Sequence, residues 1–279
     1  NLNKGSMSLV NDEEFDKIIS KFSKFKIKSG GSAANTAVGY SSFGGNSLFF
    51  GSVAKDNFGL SFKKDLNDLG IHFLFCENNF LNKKTSKSLV LISPDGERTM
   101  CTFLDASVSL SLKDFDQSIL KNNSILYLEG YLFDKNETKQ SMIDLCKIAR
   151  KKGSMIALSL SDSFCVERHR KDFLSLIKNY VDILFGNDQE IEALLDGQEK
   201  EKVNSIVDIA VVTSGPKGAN IFKANDKVFI PPKDGIKVVD TTGAGDLFAA
   251  GFLFGFSKKL TLNNCGKIAT IGASHIIQQ

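Results

Sequence analysis

The stretch DTTGAGDLFAAG, residues 240–251, sets two closely spaced glycines and a carboxylate at the mouth of an apolar helix. A short strand-like piece, residues 236–239, precedes it. Gly243 and Gly245, with Ala244 between them, allow a tight turn that points backbone N–H groups outward. The helix N-terminus adds partial positive charge. Together they make an anion cradle suited to a phosphoryl group in transfer. Asp246 puts a carboxylate beside that cradle, positioned to accept a proton from an attacking hydroxyl. A bare Gly-x-Gly-Asp is more often a plain helix start whose Asp serves the dipole. The full string is far more specific.

Outward from this stretch, strand-like apolar runs alternate with helical patterns. Residues 47–53, 124–129, 154–160, 181–185 and 209–213 read as strands. Residues 56–70, 135–152, 166–178 and 188–195 read as helices, and the C-terminal part is helical from about Gly243. Asn136 is a candidate N-cap and Gly153 a C-terminal stop for the helix between them. This alternation implies βαβ units, hence an α/β fold with a mostly parallel sheet covered on both faces. Ligands bind such sheets beyond the carboxyl ends of the strands. One segment breaks the pattern. Residues 87–93 and 99–104 are strand-like and flank Pro94, Asp95 and Gly96, a strong turn signal, so they read as a hairpin. With residues 24–28 the hairpin is expected to form a small sheet beside the main domain.

Other places fit the same chemistry, each with a plainer explanation beside it. In GGSAANTA, residues 30–37, glycines and small residues admit a ligand close to the backbone at a helix start. Asn35 there offers both a donor and an acceptor. Close helix packing would explain the glycines equally well. Asn187 and Glu190 have the spacing of a capping box. In TSGPKG, residues 213–218, a strand ends in a Gly-rich turn. Arg98 follows the hairpin turn, where a lone Arg is usually solvated, although its planar fork suits phosphate oxygens. Glu129 ends a strand and is a candidate contact for acceptor hydroxyls.

D-T-T-G-A-G-D-x-F-x-x-G resembles the C-terminal signature of the ribokinase-like (PfkB) carbohydrate kinases, and GGSAANTA resembles their N-terminal signature. FFGSVAKDNFG, residues 49–59, also has the look of the family. The resemblance covers nearly all of the chain as one kinase domain, with lid segments near residues 1–29 and 84–106. It implies a three-layer α/β/α fold with a small β-sheet lid, and transfer of phosphate from Mg·ATP to a primary hydroxyl of a sugar or nucleoside. Asp246 would be the catalytic base and the backbone at Gly243, Ala244 and Gly245 the anion hole. Gly31 and Asn35 would contact acceptor hydroxyls. Asn187, Thr213, Gly215 and Gly218 would belong to the nucleotide site, with Glu190 placing Mg²⁺ through its waters. Arg98 would reach the transferred phosphate. Asp240 and Thr242 resemble positions that bind an activating K⁺ in some relatives.

The sequence around residues 96–100 and 128–132 resembles the bacterial adenosine-kinase-like branch, which makes adenosine or a related nucleoside the first choice of acceptor. A free sugar is the alternative, and a non-catalytic ligand-binding relative a more distant one. A nucleoside needs an apolar or aromatic slot for its base, for which Phe103, Tyr131 and Phe133 are candidates. One departure stands out: family members usually begin with a strand ending in an Asp that grips acceptor hydroxyls, and none precedes Asn1. The start without Met and the end inside a helical pattern lead to the expectation of residues beyond both ends.

Bulk properties agree with a kinase of this kind. With 42% hydrophobic and 24% charged residues the chain can bury a core and is not a disordered one. Net charge is +3 and the basic residues are dispersed, so no nucleic-acid partner is expected. The clearest apolar run, residues 247–256, is half the roughly 20 needed to span a membrane. Cys76, Cys101, Cys146, Cys165 and Cys265 are odd in number and widely spaced, which fits a reducing cytosol better than a disulfide framework. His72, His169 and His275 are scattered in sequence, although distant residues can meet in a fold. Gly266-Lys267 is followed by Ile268 and not Ser or Thr, against a Walker A loop. No dinucleotide or protein-kinase signature appears. Relatives occur as monomers and as dimers joined through the small sheet.

Overall fold

The computed structural model describes Lys4 and residues 7–75, 82–94, 98–112 and 115–279. In chain order the elements are β1 (Met7–Leu9), α1 (Asp12–Ile19), α2 (Ser32–Ser42), β2 (Leu48–Gly51), α3 (Asn57–Asp68), β3 (His72–Phe75), β4 (Lys87–Ile92) and β5 (Arg98–Phe103). There follow β6 (Ile125–Glu129), α4 (Asn136–Lys151), β7 (Met155–Ser159), α5 (Ser163–Tyr180), β8 (Ile183–Asn187), α6 (Asp188–Leu195) and β9 (Ile209–Thr213). The chain closes with β10 (Ala219–Lys223), β11 (Asp226–Ile230), α7 (Ala244–Ser257) and α8 (Leu262–Ile276).

The main sheet runs β11-β10-β9-β8-β7-β6. Strands β6 to β9 are parallel, and β10 and β11 turn antiparallel at the far edge. Its strands are apolar on both sides because both sides are covered. Ile156 and Leu158 of β7 enter one core with α4, α5 and α6, while Ala157 enters the other with α7 and α8. The three-layer α/β/α arrangement follows from that alternation. Strands β2 and β3 form a separate parallel pair.

Helix α7 is apolar nearly all round because α2 and α8 cover it. A Cβ on Gly251 would lie 2.8 Å from Ala269 Cα, and one on Gly39 2.8 Å from Ala250 Cβ. The glycines that interrupt the apolar run are therefore where neighbouring helices come closest.

The hairpin forms as expected: β4 pairs antiparallel with β5 from Lys87↔Phe103 to Ile92↔Arg98. Asp95 and Gly96 of its turn lie outside the described residues, as does Cys76. The third strand of the small sheet differs from expectation. Residues 24–28 carry no strand. Met7–Leu9 pairs instead along Met100, Cys101 and Thr102, taking the edge of β5 that β4 leaves open. Residues 236–239 are likewise not a strand: Val239 N donates to Ile277 O at the end of α8, 2.7 Å away. Asn136 is the first helical residue of α4 and not its cap; that position is Lys135, whose side chain makes no capping bond. Gly153 does stop α4, at φ +71°. Among the described residues no helix is long and apolar enough to cross a membrane.

Candidate active site

The carboxyl ends of four parallel strands form a row. In register, Glu129 of β6 lies beside Ser159 of β7, Ser159 beside Phe185 of β8, and Asn187 of β8 beside Thr213 of β9. Above this row the N-termini of α2 and α7 converge. Both begin on a glycine with positive φ, Gly31 at +111° and Gly243 at +78°, a region that favours glycine. An open cleft of about 2510 Å³ runs over the row, lined by Gly31, Asn35, Glu129, Glu190, Thr213 and Asp246 among others. Arg98 and the small-sheet residues Val90 and Ile92 line its other side.

Asp246 sits in the first turn of α7 and is held from α2. Ser32 Oγ donates to its Oδ1 and Asn35 Nδ2 to its Oδ2, each at 2.8 Å. Thr36 Oγ1 donates to the Asp246 carbonyl at 3.3 Å. Burial pushes the carboxyl above its usual range, opposed by the Asn35 and Ser32 bonds and by the Arg98 charge. In the same turn, the first N–H groups of a helix have no intrahelical partner and face an incoming anion. Ala244 N turns back to Thr241 O, 3.2 Å away. A Cβ on Gly245 would meet no atom within 4 Å, so the cradle is open above it.

Arg98 bridges the small sheet and this turn: its Nη1 donates to Thr242 Oγ1 at 3.2 Å. Thr242 in turn donates its hydroxyl, at 2.7 Å, and its amide, at 2.9 Å, to Asp240 Oδ1. Glu129 Oε2 accepts the Ala33 amide at 2.8 Å. It thereby caps α2, which lacks a side-chain cap of its own. Burial raises its carboxyl, opposed by the Ala33 bond and reinforced by Asp246.

Asn187 and Glu190 make the reciprocal capping box read from their spacing. Asn187 Oδ1 accepts from Glu190 N at 2.9 Å, and Asn187 N and Nδ2 donate to the Glu190 carboxylate at 2.9 and 2.7 Å. Glu190 is also buried, and burial pushes its carboxyl up to about 7 against the Asn187 bond, with the charges of Asp162 and Asp246 adding to the rise. The Glu190 carboxylate, with the charges of Asp162 and Asp246 acting on it, fits a hard cation such as Mg²⁺. Thr213 lines the cleft beside this box. Gly215 and Gly218 lie in the turn beyond, at φ +54° and +92°, outside the cleft lining. A Cβ on Gly218 would come within 2.3 Å of Ile230 O, so backbone packing alone demands glycine there.

Several residues of the cleft were not singled out in sequence. Ser32 lies inside the quoted motif yet acts only through its tertiary contact with Asp246. Asp162 follows β7 and caps α5 by accepting from Cys165 N, a pattern of Asp before an apolar helix that was there to be found. Ser161 stands at φ +70°, uncommon for a non-glycine residue. Its Oγ accepts from Gly130 N at 2.8 Å and its carbonyl from Tyr131 Oη at 3.1 Å, which fixes the turn after Glu129. Of the three aromatic residues expected in an acceptor slot, Tyr131 lines the cleft. Phe133 is instead in the core, stacked on Phe173 at 4.2 Å, and Phe103, the last residue of β5, is buried. Phe164, on the first turn of α5, lines the cleft with half its surface exposed.

Known proteins resemble this chain in sequence and in fold. The model of the pfkB family carbohydrate kinases matches residues 6–279. The crystal structure of adenosine kinase from Sinorhizobium meliloti superposes with a TM-score of 0.93 at 36% identity, covering 100% of this chain and 86% of that one. A nucleoside kinase of Methanocaldococcus jannaschii is 28% identical over 251 residues, 89% of this chain and 79% of the relative. "Probable fructokinase-7" of Arabidopsis thaliana is 29% identical over 259 residues, 85% of this chain and 73% of the relative. With its two signatures meeting at Asp246 and the family model spanning almost its whole length, the chain belongs to the pfkB family of carbohydrate kinases.

Proposed function

We propose that this kinase transfers the γ-phosphoryl group of ATP to the primary hydroxyl of a nucleoside, adenosine or a close relative, with Asp246 as general base. The observation that carries the chemistry is the Asp246 carboxylate, fixed by Ser32 and Asn35 beside the open N-terminus of α7. The acceptor hydroxyl gives its proton to Asp246 while its oxygen bonds to the γ-phosphorus and ADP leaves. The first-turn amides around Gly243, Ala244 and Gly245 stabilise charge on the transferring group, and Arg98 adds a cation from the lid side. Mg²⁺ near Glu190 supplies neutralisation of the phosphate charge when bound. Gly31 and Asn35 stand on the acceptor side. We assign to the nucleotide side Asn187 and Thr213 and, from the turn beyond the cleft lining, Gly215 and Gly218. A monovalent cation beside Asp240 and Thr242 belongs to the same proposal; replacing KCl by choline chloride at constant ionic strength should lower turnover.

A nucleoside is favoured over a free sugar by the exposed ring of Phe164 and by Tyr131, which give the cleft an aromatic side. The 36% identity over the full chain to a protein named adenosine kinase supports the same choice. A screen of the full-length protein with Mg·ATP against adenosine, other nucleosides, ribose, fructose and 2-keto-3-deoxygluconate tests it. Turnover should be strongest on adenosine or a near relative. Turnover of a free sugar with none on any nucleoside would overturn the acceptor and leave the kinase assignment standing.

A further inference from the structure

Away from the cleft, the fold collects three side chains of types that bind metal. Asp134 ends the short helical turn Gly130–Asp134, and Cys165 and His169 lie one turn apart on α5. One ligand atom from each lies within 4.8 Å of the other two. His169 Nε2 and Asp134 Oδ1 are 3.0 Å apart. Helix α5 breaks at His169 itself, where φ is −121° and ψ 20°. No proline or glycine in the helix accounts for the break.

We propose that Asp134, Cys165 and His169 form a second cation site, one for a borderline-soft divalent ion such as Zn²⁺. One sulfur, one imidazole and one carboxylate ligand suit that class, with water in the fourth position. The carboxylate of Glu190 suits a hard cation such as Mg²⁺, so the two sites sort their cations by softness. Arg168 is the obvious competitor: its Nη2 donates to Asp134 Oδ1 at 2.9 Å and to Oδ2 at 3.1 Å, and its Nε to Oδ1 at 3.3 Å. When the ion takes Oδ1, Arg168 keeps Oδ2 and becomes the outer partner that orients the carboxylate. Entry is from the Arg168 side, since that side chain is 45% exposed while Cys165 is fully buried.

Binding has a consequence for the cleft. Cys165 Sγ donates to Gly130 O at 3.4 Å. Coordination uses the thiolate, so the thiol proton passes to solvent and Gly130 O loses its donor. Gly130 directly follows Glu129, whose carboxylate caps α2.

The test is a Co²⁺ titration of the purified full-length protein under saturating Mg²⁺, read as the thiolate-to-Co²⁺ charge-transfer band. The band should saturate at one equivalent and disappear on adding Zn²⁺. Cys165→Ala should abolish it, and His169→Gln should weaken Co²⁺ affinity at least about tenfold. Circular dichroism checks that each variant is folded. If Cys165→Ala does not fold, His169→Gln decides alone, because its side chain is partly exposed. Absence of the band in the wild type, or unaltered affinity in His169→Gln, overturns the site.

Discussion

As the proposed base, Asp246 meets two opposed requirements. A base must be ionised to accept a proton, yet burial favours its neutral form. Ser32 and Asn35 offset that burial through bonds to the charged form. Activity should fall as pH drops through the raised Asp246 pKa. Ser32→Ala removes one of the bonds, so the acid limb of the kcat/KM profile should move to higher pH. An unshifted limb would show that Ser32 does not tune the base. Glu190 makes a second case. Its carboxyl is raised to about 7, above its unfolded value, so its contribution to stability is greatest at low pH and is lost as pH rises through about 7. In metal-free buffer, Glu190→Gln should therefore gain stability relative to wild type between about pH 5 and 8, on the order of 2 kcal/mol. Gln can still serve at the third position of the capping box. Mg²⁺ should stabilise wild type more than the variant. Equal responses to pH and Mg²⁺ in thermal melts would reduce Glu190 to a cap. The residues legible in sequence were those whose role is written in local backbone chemistry: Gly31, Gly243 and the box of Asn187 and Glu190. Ser32, Ser161 and Phe164 were not, because their significance lies in what the fold sets opposite them.

At the scale of elements, the β4–β5 hairpin, proposed as a lid, carries Arg98 to Thr242 in the turn before α7. Arg98→Ala should lower turnover by about tenfold or more, with acceptor binding less affected, because the cation acts on the transferring charge. Wild-type kinetics in that variant would make Arg98 a surface residue and leave the lid without a catalytic part. The α7–α8 crossing yields a stability prediction. Gly251→Ala drives a Cβ against the backbone of Ile268 and Ala269, at 2.8 Å, and should cost about 1–3 kcal/mol in denaturant unfolding. An unchanged midpoint would mean that the helices separate freely. Periodicity placed α6 and β9 to the residue, because both are bounded by strong local signals and are apolar in the right phase. It misplaced the third strand of the small sheet. The alternating residues 24–28 look like a strand, but pairing depends on which edge of β5 is free, and that is a tertiary fact.

For the whole molecule, the alternation of strands and helices was enough to predict a sheet covered on both faces, since each parallel strand must be apolar on both sides. The antiparallel β10–β11 edge and the separation of β2–β3 from the main sheet were not legible. Neither changes the apolar pattern of an individual strand. What the molecule does with this frame is to bring residues 32, 35 and 246 together from opposite ends of the chain. The most direct measurement is phosphoryl transfer from Mg·ATP by purified Asp246→Asn, with ATP affinity and the thermal melt measured on the same sample. The variant should fold and bind ATP as the wild type does, while kcat falls by about 10²–10⁴, the range for loss of a general base. Near-normal turnover in that folded, ATP-binding variant would contradict the assignment of Asp246 as the base.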